Sequence, residues 1–317
     1  MSLFQKNFSQ SPLSSLNVEM GNNATELQNH ISVLGRFIES TIYLLICLSG
    51  FVGNGIIIYL LGFHIKRNIF TTYILNLSIA DFGLLTAGVM QNIYLILDMF
   101  GSIFFIDYLY ILNDYVFLFT FLASQALLIV ISIDRCVCFF FPLWYQFHHP
   151  PRLSIAVCAI IWILTCLISV THTTLSVTIK YFGILSLQYY LNSVIFMPIM
   201  FVSTIAMLIK LCLKSQQKKS GKLLRANLLI LVFFFFFVYQ INIIHFISIF
   251  QEVPDSFLSY SSICAILNSS INPMIYYLVG RDKKGRSSKR IDKVFEQLFK
   301  DDEVYRVQQE TTEALQL

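Results

Sequence analysis

The sequence predicts an all-α membrane protein, a bundle of seven membrane-spanning helices followed by a short amphipathic eighth helix. Three observations carry that prediction. Charged residues make up only 13 % of the 317-residue chain and apolar residues 56 %, with a mean hydropathy of +0.69. Soluble domains carry about 25 % charged residues, so much of this surface faces something other than water. The apolar residues fall into seven segments long enough to cross a bilayer, and the basic residues gather on one side of them. The same composition excludes soluble, disordered, collagenous and coiled-coil organisations.

A spanning helix needs about 20 residues, because each adds about 1.5 Å across a core of about 30 Å. The segments run Ser40–Phe63, Thr71–Leu97, Tyr108–Cys138, Leu153–Ser176, Tyr189–Leu213, Leu223–Phe250 and Ser256–Val279. Backbone groups in lipid must pair within their own segment, so each is expected to be a helix. A membrane barrel would alternate over stretches of about 10 residues, and the unbroken run Phe233 to Phe237 allows no such alternation. Matched Gly/Pro breaks in two halves, the mark of inverted-repeat transporters, are not visible. Pro273 removes a backbone hydrogen bond in the seventh segment and frees a carbonyl, which predicts a kink.

The expected organisation is an outer tail over 1–38, the spanning domain over 39–279, an amphipathic surface helix over 280–300 and an inner tail over 301–317. The first tail lacks a basic-then-apolar leader, so the first span is expected to be its own insertion signal. In the third region Ile291, Val294, Phe295, Leu298 and Phe299 recur at helical spacing beside Arg286, Lys289, Arg290 and Lys293. That pattern suits a helix lying on the inner leaflet, with membrane lipids as its partner. With the N-terminus outside, nineteen of the 22 Lys and Arg residues lie inside, leaving Lys6, Arg36 and Lys180 outside. The positive-inside rule then gives N-terminus out and C-terminus in, at the plasma membrane. Asn7 and Asn23 head Asn-x-Ser/Thr triplets in the outer tail and are candidate glycosylation sites. All seven cysteines lie in spans or at inner helix ends. They read as small buried hydrophobes, and none is available to tie an outer loop.

Polar residues inside spans are costly and point to function. Asp81 lies in the second span, Asn54 in the first, Ser124 in the third, and Asn268 and Asn272 in the seventh. One carboxylate with such partners can form a hydrated core holding a cation or a proton. An allosteric sodium ion at Asp81 is the one metal this reading admits, and no other cofactor is expected. The same residues also suit plain helix-to-helix hydrogen bonding. Asp134-Arg135 closes the inner end of the third span. The acid can hold the guanidinium until a partner helix offers backbone carbonyls; alternatively Arg135 only anchors the helix at the headgroups. Enzyme chemistry is not expected: the six histidines form no His-Glu-x-x-His, and Asp81 and Asp134 sit at different depths, too far apart for a dyad.

These clusters carry a resemblance. Gly53-Asn54, Leu77-Ser78-Ile79-Ala80-Asp81, Asp134-Arg135-Cys136, Trp162, Pro198 and Asn272-Pro273-Met274-Ile275-Tyr276 occur once each, in order, in spans one to five and seven. Together they resemble the rhodopsin-like G-protein-coupled receptors. Ile131-Ser132-Ile133-Asp134-Arg135-Cys136, Pro142-Leu143-Trp144-Tyr145 with Pro150, Gly50 to Ile56, Arg67-Asn68-Ile69-Phe70-Thr71 and Asn268 to Pro273 are similar to the Mas and Mas-related receptors. That family typically has Cys after the Arg and lacks the disulfide from span three to the second outer loop.

The resemblance implies a receptor that binds an extracellular peptide or small molecule and activates a heterotrimeric G protein. Arrestin and a receptor kinase are implied as further partners, and no nucleic acid. The ligand pocket is expected in the outer third of the bundle, lined by Asn92, Asp114, Phe117, His172, Tyr189, Tyr239, Asn242, His245 and Tyr260. Asp114 is the acid best placed for a cationic ligand group, or else an interfacial charge. Inside, Arg135 would floor a cavity that opens when span six swings out. Asp134, Pro142, Trp144, Lys222, Arg225, Pro273 and Tyr276 would complete the coupling switch. Ser287, Ser288, Thr311 and Thr312 offer hydroxyls for phosphate.

The chain departs from the family at three places. His172 stands where an acid is frequent in span four, Leu185 to Tyr190 has no carboxylate, and span six has no proline. Two alternatives stay open: a receptor-like seven-helix protein that does not signal, and an ion or solute transporter coupled at Asp81.

Overall fold

The computed structural model describes residues 12–65, 67–99, 106–141, 145, 150, 152–179, 194–195, 197–213, 222–248, 251, 255–281, 291, 293–295 and 298. Among the described residues the long elements are α1 (Pro12–Tyr59), α2 (Ile69–Met99), α3 (Ile106–Phe140), α4 (Leu153–Ile179), α5 (Met197–Leu213), α6 (Lys222–Ser248) and α7 (Asp255–Gly280). Helix α1 starts far ahead of the expected first span, although its membrane-length apolar stretch begins only at Val33. The chain divides into two compact units, Met1–Leu44 and Leu45–Leu317. In the first, the described part of α1 exposes nearly every residue from Val33 to Ile42. The Thr41 hydroxyl there donates to the Phe37 carbonyl at 2.8 Å.

In the second unit α1 ends in a π-helical turn, Leu60–His64, closed by the Ile65 amide on the Leu60 carbonyl at 2.9 Å. Ile65 then turns extended and stops the helix. The start of α2 is fixed by a reciprocal cap. The Thr71 amide donates to Asn68 Oδ1 at 2.8 Å while the Asn68 amide donates to Thr71 Oγ1 at 2.7 Å. Two orphan donors of a helix start are satisfied at once.

Helix α3 is central, packing against α2, α4, α5 and α6; α2 also meets α4 and α7, and α6 packs along α7. Facing side chains such as Leu84, Leu127, Leu128 and Phe234 are fully buried. The outward stripe of α4, Ile155, Ile160, Ile163, Leu164 and Leu167, is apolar and exposed. Such a surface is stable against lipid and not against water. Five helices of the described residues have the length and apolarity to cross a membrane, and Met197–Ala206 and Leu228–Phe237 are shorter apolar helices. Beyond α7, residues 291, 293–295 and 298 are helical. Val294, Phe295 and Leu298 are buried while Ile291 and Lys293 are exposed. Gly280 admits them: a Cβ there would meet Val294 Cγ1 at 3.0 Å and Leu298 Cβ at 3.3 Å.

Candidate functional site

The site is a column of polar side chains running through an apolar core. At its middle Asp81 of α2 is completely buried. The Ser124 hydroxyl of α3 donates to Asp81 Oδ1 at 2.7 Å, and the Asn272 amide of α7 donates to Oδ2 at 2.7 Å. Three helices are thus pinned at one carboxyl group. Pro273 explains the next contact. It has no N–H to give the Ser269 carbonyl one turn back, and Asn54 of α1 supplies the missing donor. Its Nδ2 donates to the Ser269 carbonyl at 3.1 Å and to the Gly50 carbonyl at 3.0 Å. The backbones must come close for this. A Cβ on Gly53 would lie 2.8 Å from Pro273 Cβ, and one on Gly50 would lie 2.7 Å from Ser270 Cα. The side-chain oxygens of Asn54, Asn268 and Asn272 are buried and accept no hydrogen bond from the described residues.

Farther inward, Asp134 and Arg135 of α3 are both buried. Tyr145 donates its hydroxyl to Asp134 Oδ1 at 2.9 Å. The Arg135 guanidinium carbon lies 3.3 Å from the centre of the Phe70 ring at the first turn of α2. Tyr276 of α7 is buried within electrostatic reach of both Asp81 and Arg135. One turn outward on α3 the Ser132 hydroxyl bonds the Ser203 hydroxyl of α5. The Cys136 thiol donates to the Ser203 carbonyl at 3.4 Å. Trp162 of α4 donates its indole N–H to Asn76 of α2 at 2.9 Å. Asn54, Asp81, Ser124 and Asn272 are therefore brought together, as are Asp134 and Arg135, with Pro273 and Tyr276 alongside.

Comparison with known proteins places these residues in a family. The family described as "7 transmembrane receptor (rhodopsin family)" matches residues 53–276. The Mas-related G-protein coupled receptor member F of Rattus norvegicus is 32 % identical over 273 residues, 83 % of this chain and 79 % of that protein. Its counterpart in Homo sapiens is 32 % identical over 82 % of this chain and 78 % of that protein. The Proto-oncogene Mas of Mus musculus is 30 % identical over 80 % of this chain and 81 % of that protein. The chain belongs to the Mas-related branch of the rhodopsin-like receptors. It is a multi-pass membrane receptor that takes an extracellular ligand and couples to a G protein, and it is not an enzyme.

The receptor's opposite end is built differently. His172 of α4 is 8 % exposed, and neither ring nitrogen has a hydrogen-bond partner among the described residues. Asp114 of α3 is exposed and close enough to His172 for the two charges to interact. Asn92 of α2 is buried. Phe117 stacks on Phe121 with ring centres 6.1 Å apart. Tyr260 at the start of α7 is half exposed, and Arg225 on α6 is exposed. Asn7, Pro142, Trp144 and Tyr189 lie outside the described residues, as do the side chains of Asn23, Lys222, Tyr239, Asn242 and His245.

Two residues quoted only as parts of longer motifs stand in the middle of the site. Tyr145 closes on Asp134, and Phe70 lies under Arg135. Tyr145 carried a faint signal, a hydroxyl directly after the apolar run Phe139 to Trp144. Phe70 carried none, because a Phe at the start of an apolar span reads as core.

Proposed function

We propose that the receptor lies in the plasma membrane with its N-terminus outside. In this reading its ligand is a peptide or small molecule that presents a cationic group to Asp114 and a hydrogen-bonding group to His172 and Asn92. Ligand bound there favours a conformer open on the inside, and the shift in population equals the ligand's differential affinity for the two states. In the open state Arg135 gives its donors to a helix of the G protein, with Pro142 and Trp144 as an apolar edge and Lys222 and Arg225 as a basic one. The observation that supports this most is the buried column from Asp81 through Tyr276 to Arg135, which couples mid-bundle changes to the inner face.

The Asp81 carboxyl and the oxygens of Asn54, Asn268 and Asn272, uncommitted among the described residues, suit a small hard cation. Asp81, Ser124 and the asparagines of α7 would hold a sodium ion, which would supply positive charge opposing the collapse of this core. Glycans on Asn7 and Asn23, lipids along the Ile291 to Phe299 helix, and an arrestin and kinase recognising Ser287, Ser288, Thr311 and Thr312 complete the proposal. The domain bounds are those expected above: 1–38, 39–279, 280–300 and 301–317.

A G-protein activation assay in cells tests this reading, run against a panel of peptides and amines with Arg135→Ala as control. Activation should appear with at least one ligand or on overexpression, and should fall about 30-fold or more in the variant, as expected when a buried charged partner is lost. If every condition gave the same signal with and without Arg135, the second reading would stand, a receptor fold that does not signal. The absence of any proline in α6 is the observation that favours that second reading.

A further inference from the structure

Helix α6 contains no Asp or Glu between Lys222 and Ser248. No carboxylate on that helix can hold the arginine at the inner end of α3. Yet Arg135 is only 4 % exposed, and a guanidinium taken out of water needs compensation nearby. Part of that compensation is an aromatic face. The guanidinium carbon lies 3.3 Å above the centre of the Phe70 ring, which is van der Waals contact and well inside the range over which a ring face attracts a cation. Asp134, the adjacent acid, meanwhile accepts the Tyr145 hydroxyl.

The ring is held firmly. Phe70 is wholly buried and packs in the main apolar core with Tyr73, Ile74 and Leu77. The reciprocal Asn68–Thr71 cap fixes the backbone on both sides of it. With its guanidinium buried against this ring among the described residues, Arg135 offers little surface to an incoming helix, as a resting pose requires.

We propose that Phe70 is a positioning residue for Arg135: its ring face holds the guanidinium against α2 in the resting receptor, and activation requires the cation to leave the ring. An aromatic face differs physically from a carboxylate in this role. Removing a cation from a salt bridge strands a buried acid, which is strongly unfavourable. Removing it from Phe70 leaves an apolar ring in an apolar core with nothing unsatisfied. The ring's share of the hold is therefore one-sided: releasing it strands nothing on α2. The inference rests on the coupling role proposed for Arg135.

The test uses the full-length receptor with phenylalanine carrying one, two or three ring fluorines at position 70. Fluorine withdraws electron density from the ring face while hardly changing its volume, so the variants fold where Phe70→Leu would leave a cavity. Two quantities are measured. The fluorine NMR resonance of the singly substituted ring should shift when Arg135→Leu is added. Ligand-independent G-protein activation per surface receptor should rise with each fluorine, reaching about tenfold with three. Phe70→Trp, with a more negative face, should not exceed the wild type. A resonance that ignores Arg135→Leu overturns the contact. Activation that stays flat across the fluorine series, while Arg135→Ala abolishes ligand-driven activation, overturns the positioning role and leaves the coupling reading intact. If Arg135→Ala changes no activation at all, the coupling reading fails and the inference fails with it.

Discussion

The two ends of the receptor differ in how far their buried polar side chains are tied to the fold. Around Asp81, Pro273 and Asp134 the groups answer one another: Ser124 and Asn272 for the carboxyl, Asn54 for the carbonyl that Pro273 leaves open, Tyr145 for Asp134. On α4, His172 is also buried, and neither of its nitrogens has a hydrogen bond among the described residues. Asp114 faces outward beside it. A buried polar group left unmatched is destabilising by about 1–3 kcal/mol, so such groups persist mainly where something outside the fold will meet them. The difference separates a core whose helices are tied to one another, with the oxygens of Asn54, Asn268 and Asn272 left over for an ion, from a buried imidazole that the described residues do not bond at all.

That contrast predicts which kind of damage each end suffers. The largest stability effect should come from Gly53→Val. Its Cβ would begin 2.8 Å from the Pro273 ring, which is rigid and cannot swing aside. Helices α1 and α7 would have to separate, and Asn54 would lose the Ser269 carbonyl. The expected loss is about 3 kcal/mol, the upper end for overpacking, read as reduced surface expression and a lower unfolding temperature of the solubilised receptor. Undiminished thermal stability would break the idea that the inner column depends on this close approach.

Ser124→Ala should be next. It leaves the apolar packing of α3 in place and removes one of the donors to the Asp81 carboxyl. The cost should be about 2 kcal/mol, as for a hydrogen bond to a charged or chargeable buried group. Ligand binding in equilibrium measurements should show a reduced response to sodium. An unchanged melting temperature together with an unchanged sodium response would remove Ser124 from the core.

These inner residues were largely readable before any coordinates. A carboxyl in a lipid span, a proline inside a helix and an Asp-Arg pair at a helix end are each physically conspicuous, because a bilayer punishes unpaired polarity. The seven-helix fold followed from the same rule. What could not be read was geometry carried by apolar atoms. Phe70 is chemically indistinguishable in sequence from Phe121 or Phe234, and only the fold sets it under Arg135. The early start of α1 at Pro12 was equally hidden, since a stretch such as Ser14 to Gln28 is too polar to read as part of a span. At the outer end the sequence named Asp114 and His172 as pocket residues but could not say that one is exposed and the other buried.

His172→Leu sharpens the comparison because its two effects should have opposite signs. Replacing an unmatched buried imidazole by a side chain of similar size should raise stability by about 1 kcal/mol. The same change should lower ligand potency about tenfold, the loss of one good buried hydrogen bond. Thermal unfolding without ligand and a concentration–response curve read the two separately. A variant that is destabilised would mean that the ring is satisfied by the fold itself, and the outer end would then resemble the inner one.

The smallest effect should come from Asp114→Asn. The side chain is exposed, and ion pairs in water contribute only about 0.2–1 kcal/mol because solvent and salt screen them. Potency of a cationic ligand should therefore fall about two- to fivefold, and the deficit should shrink as ionic strength rises. Stability and ligand-independent activation should not move, since Asp114 forms no part of the inner column. A potency loss far beyond this range, insensitive to salt, would mean that the ligand closes over Asp114 and desolvates the pair. Asp114 would then act as a buried anchor, and the line between a matched interior and an open rim would have to be drawn farther out along α3.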